Sequence, residues 1–334
     1  MKAVIPVAGV GSRLRPHTYT QPKALIPVAG KPILAYIIDQ LRSEGIEDIV
    51  LVIGYLGSKI QDFVTERYPD LNVEFVVQDS RDGLGHAIWL ARDVVGDDEM
   101  LILLGDTIID GELGQLLACP TSAVGIKKVD APGEFGVAML DDDDLLTGAV
   151  EKPRIPKSNL ALVGAYKIRE TALLMDCLEH NIEAEVRSNN GEFSLTDALD
   201  RFVRVEGGRV RGVRIDNWYD LGKREILLET NAILLRSYGQ PPAEDQVRDS
   251  IIIGPVRISE GAVVENAIIG PNVSVGENTV VRDAILRDSI IGSFSHISEI
   301  ALESSIIGND AIIKGHVHSL NIGDNTEIDL AQGR

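Results

Sequence analysis

Cysteine is scarce: the 334 residues contain only Cys119 and Cys177, far apart and in no metal-ligand spacing. That excludes a cysteine metal site and suits two small buried residues in a reducing compartment, so a cytoplasmic location is expected. Basic residues are also in deficit, 32 against 51 acids, for a formal net charge of −19. Nucleic acid and anionic membranes both reward fields of Lys and Arg, so neither is an expected partner. A polyanionic ligand must be met locally. Long apolar runs are missing as well, none approaching the roughly 20 residues that span a bilayer. The N-terminal apolar run is interrupted by Pro6, Gly9, Gly11 and Arg13, which suits a strand and loop better than a signal peptide. One further absence is local. The first acid is Asp39, so "AGVGSRLRPHTYTQPKALIPVAGKP", Ala8 to Pro32, carries Arg13, Arg15, Lys23 and Lys31 with no carboxylate among them.

Up to about residue 105 short β-branched runs alternate with stretches of helical period: "KAVIPV", "PILAYIIDQLRSEG", "DIVLVI", "GSKIQDFVTERY", "NVEFVV", "LGHAIWLARDVV" and "MLILLGD". This alternation predicts a parallel sheet covered by helices. Shorter strands follow from Ser122 to Ile168, with "LDDDDL" as a solvated hairpin turn rather than a metal cluster. Residues 1–236 are read as one α/β domain and 237–249, which include "SYGQPPAEDQ", as a linker. Residues 250–334 differ in kind. Aliphatic residues recur at steps of five or six from Ile253 through Ile258, Val264, Ile269, Val275 and onward to Ile313, with glycines following several of them. Such a repeat marks a parallel β-helix. Spacings of 16 between Ile253 and Ile269, Val275 and Ile291, and Ile291 and Ile307 predict three short strands per coil. About five coils would form a prism about 24 Å tall at the usual strand spacing. Its open sheet edge and apolar outer positions lead to the expectation of a homo-oligomer.

The basic stretch resembles two phosphate-binding motifs without matching either. "GVGSRL" places Leu14 where the dinucleotide fingerprint has its third glycine, and no acid ends the second strand, "IVLVIGY". Near "AGKP", Leu25 stands where a Walker loop begins with glycine, and Pro32 replaces its Ser or Thr. What remains is a glycine-containing turn after the first strand, where backbone N–H groups can approach phosphate, flanked by several cations.

With these residues in place, the chain resembles the sugar-phosphate nucleotidylyltransferases, or NDP-sugar pyrophosphorylases. Gly9, Gly11, Arg13, Leu14, Pro16, Thr18, Pro22, Lys23, Pro27, Lys31 and Pro32 match the family's signature loop. "GLGHAI" (Gly83 to Ile88), "LLGDT" (Leu103 to Thr107), "EKP" (Glu151 to Pro153), "VGAY" (Val163 to Tyr166), "GEFSLTDAL" (Gly191 to Leu199) and "WYDLG" (Trp218 to Gly222) follow in order. The loop departs from the pattern at Ser12, where Thr is commoner, and in "PVAG", where many members have a double glycine. The proline and "GLGH" lean toward UDP-glucose pyrophosphorylases, whereas "RLRP" and the solenoid lean toward long glucose-1-phosphate thymidylyltransferases. The resemblance implies a Rossmann-like, mainly parallel mixed sheet followed by a left-handed β-helix of hexapeptide repeats. It also implies transfer of a nucleotidyl group from dTTP or UTP to glucose 1-phosphate with Mg²⁺.

In that reaction the sugar phosphate attacks the α-phosphorus and pyrophosphate leaves. A phosphate monoester is largely dianionic near neutrality, so no general base is required; converging negative charge must be neutralised instead. By resemblance Arg13 and Lys23 are the catalytic cations, and Ala8, Gly9, Gly11, Ser12, Gln78, Gly83 and Asp106 join Arg13 in holding the nucleotide. Gly136, Glu151, Lys152, Gly164 and Tyr166 would hold the sugar phosphate, and Asp106 with Asp220 the metal. Gln78 offers a carbonyl and an NH₂ complementary to a pyrimidine imide, although guanine presents a similar edge. His86 is read as a packing or capping residue. Two rival readings stand beside this one. A bifunctional enzyme would place acyl transfer in the solenoid, with His296, His316 and His318 as the available bases. A non-catalytic subunit resembling translation-initiation exchange factors shares the two-part architecture but need not keep Arg13, Lys23, Asp106 and Asp220 together.

Overall fold

The structure is a computed structural model in which residues 1–239 and 241–315 are described. It divides into two compact units, Met1–Thr230 and a second that begins at Asn231, and the division falls within the helix Arg224–Tyr238. His316 and His318 lie outside the described residues.

In the first unit the strand Lys2–Pro6 lies in the middle of the sheet. It pairs in parallel with Asp48–Ile53 on one side and Met100–Leu103 on the other, and Asp48–Ile53 pairs with Asn72–Val77. The chain thus builds outward from its first strand in one direction, then returns to the other side. That reversal opens a crevice beyond the carboxyl ends of Lys2–Pro6 and Met100–Leu103, the place where open α/β sheets bind ligands. Past Met100–Leu103 the direction changes. Leu160–Ile168 runs antiparallel beside it and pairs with Ser122–Lys128 and Gly136–Leu140. Gly136–Leu140 and Leu146–Glu151 form a hairpin, and Val210–Arg214 returns parallel to Ser122–Lys128. At the hairpin turn Asp141 accepts the backbone N–H groups of Asp143 and Leu145, so the run of aspartates serves as turn chemistry.

The helices cover the sheet with the faces their periodicity dictates. In Ile33–Ser43, Ile33, Leu34, Ile37, Ile38 and Leu41 are buried, and Pro32 stands at the N-cap. Leu84–Leu90, Thr171–Glu183 and Leu195–Arg204 pack over the other side around a core that contains Ile88, Leu178, Leu199 and Phe202.

The second unit is a stack of short parallel strands in three sheets. Val264, Val281 and Ile297 line one inner column, Ile269 and Leu286 a second, and Val275 and Ile291 a third. The coil length differs from the expected 16. Ile269 pairs with Ile252, not Ile253, so the first coils take 17 residues; from Ser274, which pairs with Ile290, the step is 16. The cause is one corner: Gly270, Pro271 and Asn272 separate Ile269 from Val273, whereas only Arg287 and Asp288 separate Leu286 from Ser289. The corners are turned by residues in the left-handed region, among them Asp249, Asn266, Asp283 and Glu299 in one column and Asn272, Asp288 and Ser304 in the next. Asn and Asp tolerate that conformation, which is why so many polar residues punctuate the aliphatic rhythm. The side chains also bond along the stack, Asn266 to Asp283 and Asn272 to Asp288. One outer face carries Ser274, whose hydroxyl donates to Asn231 at 3.0 Å.

Candidate active site

The first strand delivers the chain to a turn whose beginning, Ala8 and Gly9, lines a cleft of about 390 Å³ together with Lys23, Gln78, Gly83 and Asp106. A second cleft of about 480 Å³ adjoins it, lined by Arg13, Asp106, Gly136, Glu151, Lys152, Gly164, Tyr166 and Asp220. Asp106, Leu84, Leu104 and Glu192 belong to both, so the clefts meet at the carboxylate that follows Met100–Leu103. The residues expected to bind sugar phosphate gather in the larger chamber and most of those expected to bind nucleotide in the smaller, but Arg13, expected on the nucleotide, lines the larger one and Asp106 lines both. Gly11 and Ser12 line neither; Gly11 accepts the Thr18 hydroxyl at 2.9 Å, and Ser12 is exposed at the start of a short 3₁₀ turn.

Charge is arranged tightly where the clefts join. Trp218–Asp220 pairs antiparallel with Thr107–Ile109, and Leu221 donates its N–H to the Asp106 carbonyl, which brings the Asp106 and Asp220 side chains together. Burial and the Asp106 charge push the Asp220 carboxyl above its ordinary value. Burial also opposes ionisation of Asp106, but the Lys23 ammonium 2.5 Å away and the Arg13 guanidinium outweigh it and hold that carboxyl low. Two acids and two cations thus form one coupled group. Arg13 lies over Gly222, where a Cβ would stand 2.8 Å from its Nη2 and 3.1 Å from Asp220 Oδ1. Hence the glycine that ends "WYDLG" leaves room for the arginine. The other two cations of the loop are engaged elsewhere: Lys31 pairs with Asp39, and the Arg15 guanidinium stacks on Tyr19 at 4.9 Å. Neither lines either of these two clefts.

In the larger cleft Glu151 sits opposite Gly136 in the hairpin and accepts the Thr196 hydroxyl at 2.7 Å. Its other oxygen is 3.6 Å from Lys152 Nζ. The Tyr166 hydroxyl is raised by burial and by Glu151, so it stays a neutral donor. Lys223 and Glu134, an ion pair of 2.5 Å, and the Phe135–Trp218 edge-to-face pair also line this chamber. Thr196, Lys223 and Glu134 are not among the residues expected from sequence. Thr196 had a signal in "SLTDAL", whose serine caps the helix and aims the next turn at the cleft. Lys223 and Glu134 had none, being far apart in the chain. In the smaller cleft Gln78 follows the strand Asn72–Val77 and donates to the Gly83 carbonyl at 3.1 Å. Gly83 is hemmed in by protein: with φ +103°, its absent Cβ would lie 2.6 Å from the Phe193 carbonyl oxygen. The loops of the two clefts are thereby stitched together, Phe193 donating to the Asp82 carbonyl and accepting from Gly85.

The profile of the nucleotidyl transferase family matches residues 2–237, more than half of the chain. The chain belongs to this family. A GlmU-like C-terminal hexapeptide profile matches residues 237–293. Among relatives of this nucleotidyl transferase, a glucose-1-phosphate thymidylyltransferase of Streptomyces griseus is 32% identical over 99% of this chain and 100% of its own. The low-salt glycan biosynthesis nucleotidyltransferase Agl11 of Haloferax volcanii is also 32% identical, with the same coverage. The bifunctional protein GlmU of Methanocaldococcus jannaschii is 37% identical over 79% of this chain, which spans 61% of that longer protein. A solved structure described as a glucose-1-phosphate thymidylyltransferase from Bacillus anthracis superposes with a TM-score of 0.61 at 25% identity, over 72% of this chain and 98% of the other. A UDP-glucose pyrophosphorylase complexed with UDP-glucose, at 24% identity and a TM-score of 0.62 over 71% and 98%, shares the fold.

Proposed function

We propose that the protein transfers a nucleotidyl group from dTTP or UTP to glucose 1-phosphate, releasing pyrophosphate. The observation that carries this reading is the junction of two clefts at Asp106, with Lys23 on the nucleotide side and Arg13 on the sugar-phosphate side. A triphosphate in the smaller chamber and a sugar phosphate in the larger would bring nucleophile and α-phosphorus together there. Lys23 and Arg13 then neutralise the charge that gathers on the α-phosphoryl group and on the departing pyrophosphate, ready-placed before reaction. Lys152 meets the sugar phosphate, and Glu151, held by Thr196, accepts from sugar hydroxyls. No side chain needs to take a proton from the nucleophile.

Enzymes of this family generally work with a divalent metal, and the donor set here suits Mg²⁺. Asp106 and Asp220 crowd each other enough that burial and mutual repulsion raise one of them. A hard cation would relieve that repulsion, and phosphate oxygens and waters would complete its shell, since no third protein ligand joins them among the described residues. When bound, the metal supplies charge neutralisation between the two phosphates.

The solenoid supports self-association rather than a second chemistry. Ile251 and Ile285 are exposed at 59% and 47% on one outer column. His296 is exposed at the first position of the strand His296–Ser298 and is the one candidate base of the solenoid among the described residues. A monomer by light scattering would remove the oligomer reading. Two buried free thiols, Cys177 being pushed up to about 11 by burial and therefore inert, support the reading of a cytoplasmic location. No described helix is long and apolar enough to cross a membrane.

The decisive experiment is pyrophosphate release from five triphosphates (the four common ones and dTTP) against a panel of sugar 1-phosphates with Mg²⁺. Release with dTTP or UTP and glucose 1-phosphate is expected. Silence across the whole panel defeats the enzyme reading, and release only with another pair replaces the substrates while keeping the reaction.

A further inference from the structure

Next to Gln78, which lines the smaller cleft, lies an imidazole that the reaction above leaves without a task. His86 lies in the first turn of Leu84–Leu90, its ring stacked on Trp89 with centroids 5.9 Å apart, and Trp89 is covered in turn by the Arg92 guanidinium at 3.8 Å. The imidazole is therefore held in one orientation. Its Nδ1 stands 3.2 Å from Gln78 Nε2, the same nitrogen that donates to the Gly83 carbonyl at 3.1 Å. A carbonyl can only accept, so the NH₂ end of the amide must face Gly83. That nitrogen then gives its second hydrogen to His86, whose Nδ1 must accept and whose proton must sit on Nε2. Both amide hydrogens are consumed inside the protein.

We infer that His86 is a positioning residue for base selection: it locks the Gln78 amide so that only the carbonyl oxygen is offered to the nucleotide cleft. This rests on the reading of Gln78 as a base contact, and it narrows that contact. The amide no longer supplies an NH₂ to the base; it supplies one acceptor. Uracil, thymine and guanine present a ring N–H to such an acceptor, whereas cytosine N3 and adenine N1 present a lone pair and are repelled. Protonation would reverse the lock. An imidazolium has a hydrogen on Nδ1, so the Gln78 NH₂ can no longer point at it and the amide must turn over or leave Gly83. The NH₂ then faces the cleft and favours the excluded bases. Burial lowers the His86 pKa from the ordinary imidazole value; of the two charges acting on the ring, Asp82 on the preceding loop opposes this and Arg187, from the loop before Leu195–Arg204, reinforces it. At neutral pH the lock is closed.

The test measures affinities of the full-length protein for cytidine triphosphate and for uridine or thymidine triphosphate, whichever binds more tightly, with Mg²⁺ and no sugar phosphate. In the natural protein the ratio of the two dissociation constants should fall about tenfold between pH 7.5 and pH 5.5, as the imidazolium forms. His86→Leu should already show the reduced ratio at pH 7.5. His86→Asn, whose side-chain oxygen can accept where Nδ1 did, should restore it and remove its pH dependence. In turnover, His86→Leu should raise the KM for the triphosphate more than it lowers kcat, with the KM for sugar 1-phosphate moved less than twofold. An unchanged ratio in His86→Leu, or a pH dependence that survives in His86→Asn, overturns the inference. If the leucine variant does not fold, the asparagine comparison decides alone. Gln78→Ala separates the two levels: no change in the ratio defeats the base contact itself, whereas a lost ratio there with intact ratios in both His86 variants defeats only the lock.

Discussion

The two units solve opposite problems. In the solenoid each buried side chain repeats the task of its neighbour one coil away, as Ile269, Leu286 and Leu302 do in one column. In the first unit no residue of the site has a substitute: Arg13 and Lys23 from the basic loop, Asp106, Glu151 and Asp220 come from four separate segments and meet once. Redundancy makes the solenoid a sum of similar small terms, whereas uniqueness makes the site fail at single positions. Substitutions in the solenoid should therefore register in stability and those in the site in rate.

The sharpest contrast is expected at Asp106. Asp106→Asn keeps the side-chain shape but removes the charge that Lys23 and Arg13 face and on which the proposed metal site depends. Pyrophosphate release should drop about 10³-fold, the scale of losing one preorganised electrostatic partner, with the far-ultraviolet circular dichroism of the folded protein retained. A loss under tenfold would mean that the junction of the clefts is not where the chemistry occurs. In the solenoid the matching experiment is Leu286→Ala, at a position with 0% exposure between Ile269 and Leu302. Emptying that layer should cost about 2–5 kcal/mol in denaturant unfolding of the second unit. A cost below about 1 kcal/mol would show that the column is not close-packed.

The same contrast explains what could be read in advance. Periodicity reports burial, so the inner columns and the helix face of Ile33, Ile37 and Leu41 were visible as pattern. The parallel strands Lys2–Pro6 and Asp48–Ile53 were visible too, because continuous apolar runs are what a doubly covered sheet requires. The antiparallel neighbour Leu160–Ile168 was not, since partner and direction are long-range properties that composition does not encode. A corner of two residues rather than three likewise leaves the aliphatic rhythm at five or six and shifts the coil from 17 to 16 unnoticed. At the site, the motifs supplied Arg13, Lys23, Asp106 and Asp220, but not the contacts that aim them. Gly222 beneath Arg13 and Thr196 on Glu151 become meaningful only once distant segments are side by side.

Gly222→Ala tests such an aiming contact. The new methyl would stand 2.8 Å from Arg13 Nη2, and the arginine, long and exposed, can move aside without disturbing the core. Stability should change by less than about 1 kcal/mol while activity falls about tenfold to a hundredfold if Arg13 has the proposed role, because displacement of a catalytic group by an ångström is costly in rate. Equal losses in rate and stability would mean that the glycine serves the fold, and the contrast between the units would blur.

The smallest effect expected is at Asp197, where a site neighbour burdens stability instead of rate. Burial, then the charges of Glu151 and Asp200, raise its carboxyl from 3.8 to about 6. A raised acid binds more protons in the folded state than in the unfolded one, so stability from this group falls as pH climbs from about 4 through about 6 and stays reduced above. Asp197→Asn should remove that loss. Its gain at pH 7 should be about 1 kcal/mol, less than the shift alone would give, because partial exposure screens the repulsion and an ionised aspartate in the first helical turn has a favourable interaction with the helix dipole. Denaturation of the two proteins should coincide near pH 4 and diverge in favour of the asparagine variant by pH 7. If the variant is the less stable one at pH 7, the dipole and any unseen partner outweigh the crowding with Glu151. The carboxylates around the sugar chamber would then be mutually compensated, as charges are along the solenoid, where Arg282 faces Glu265 at 3.0 Å.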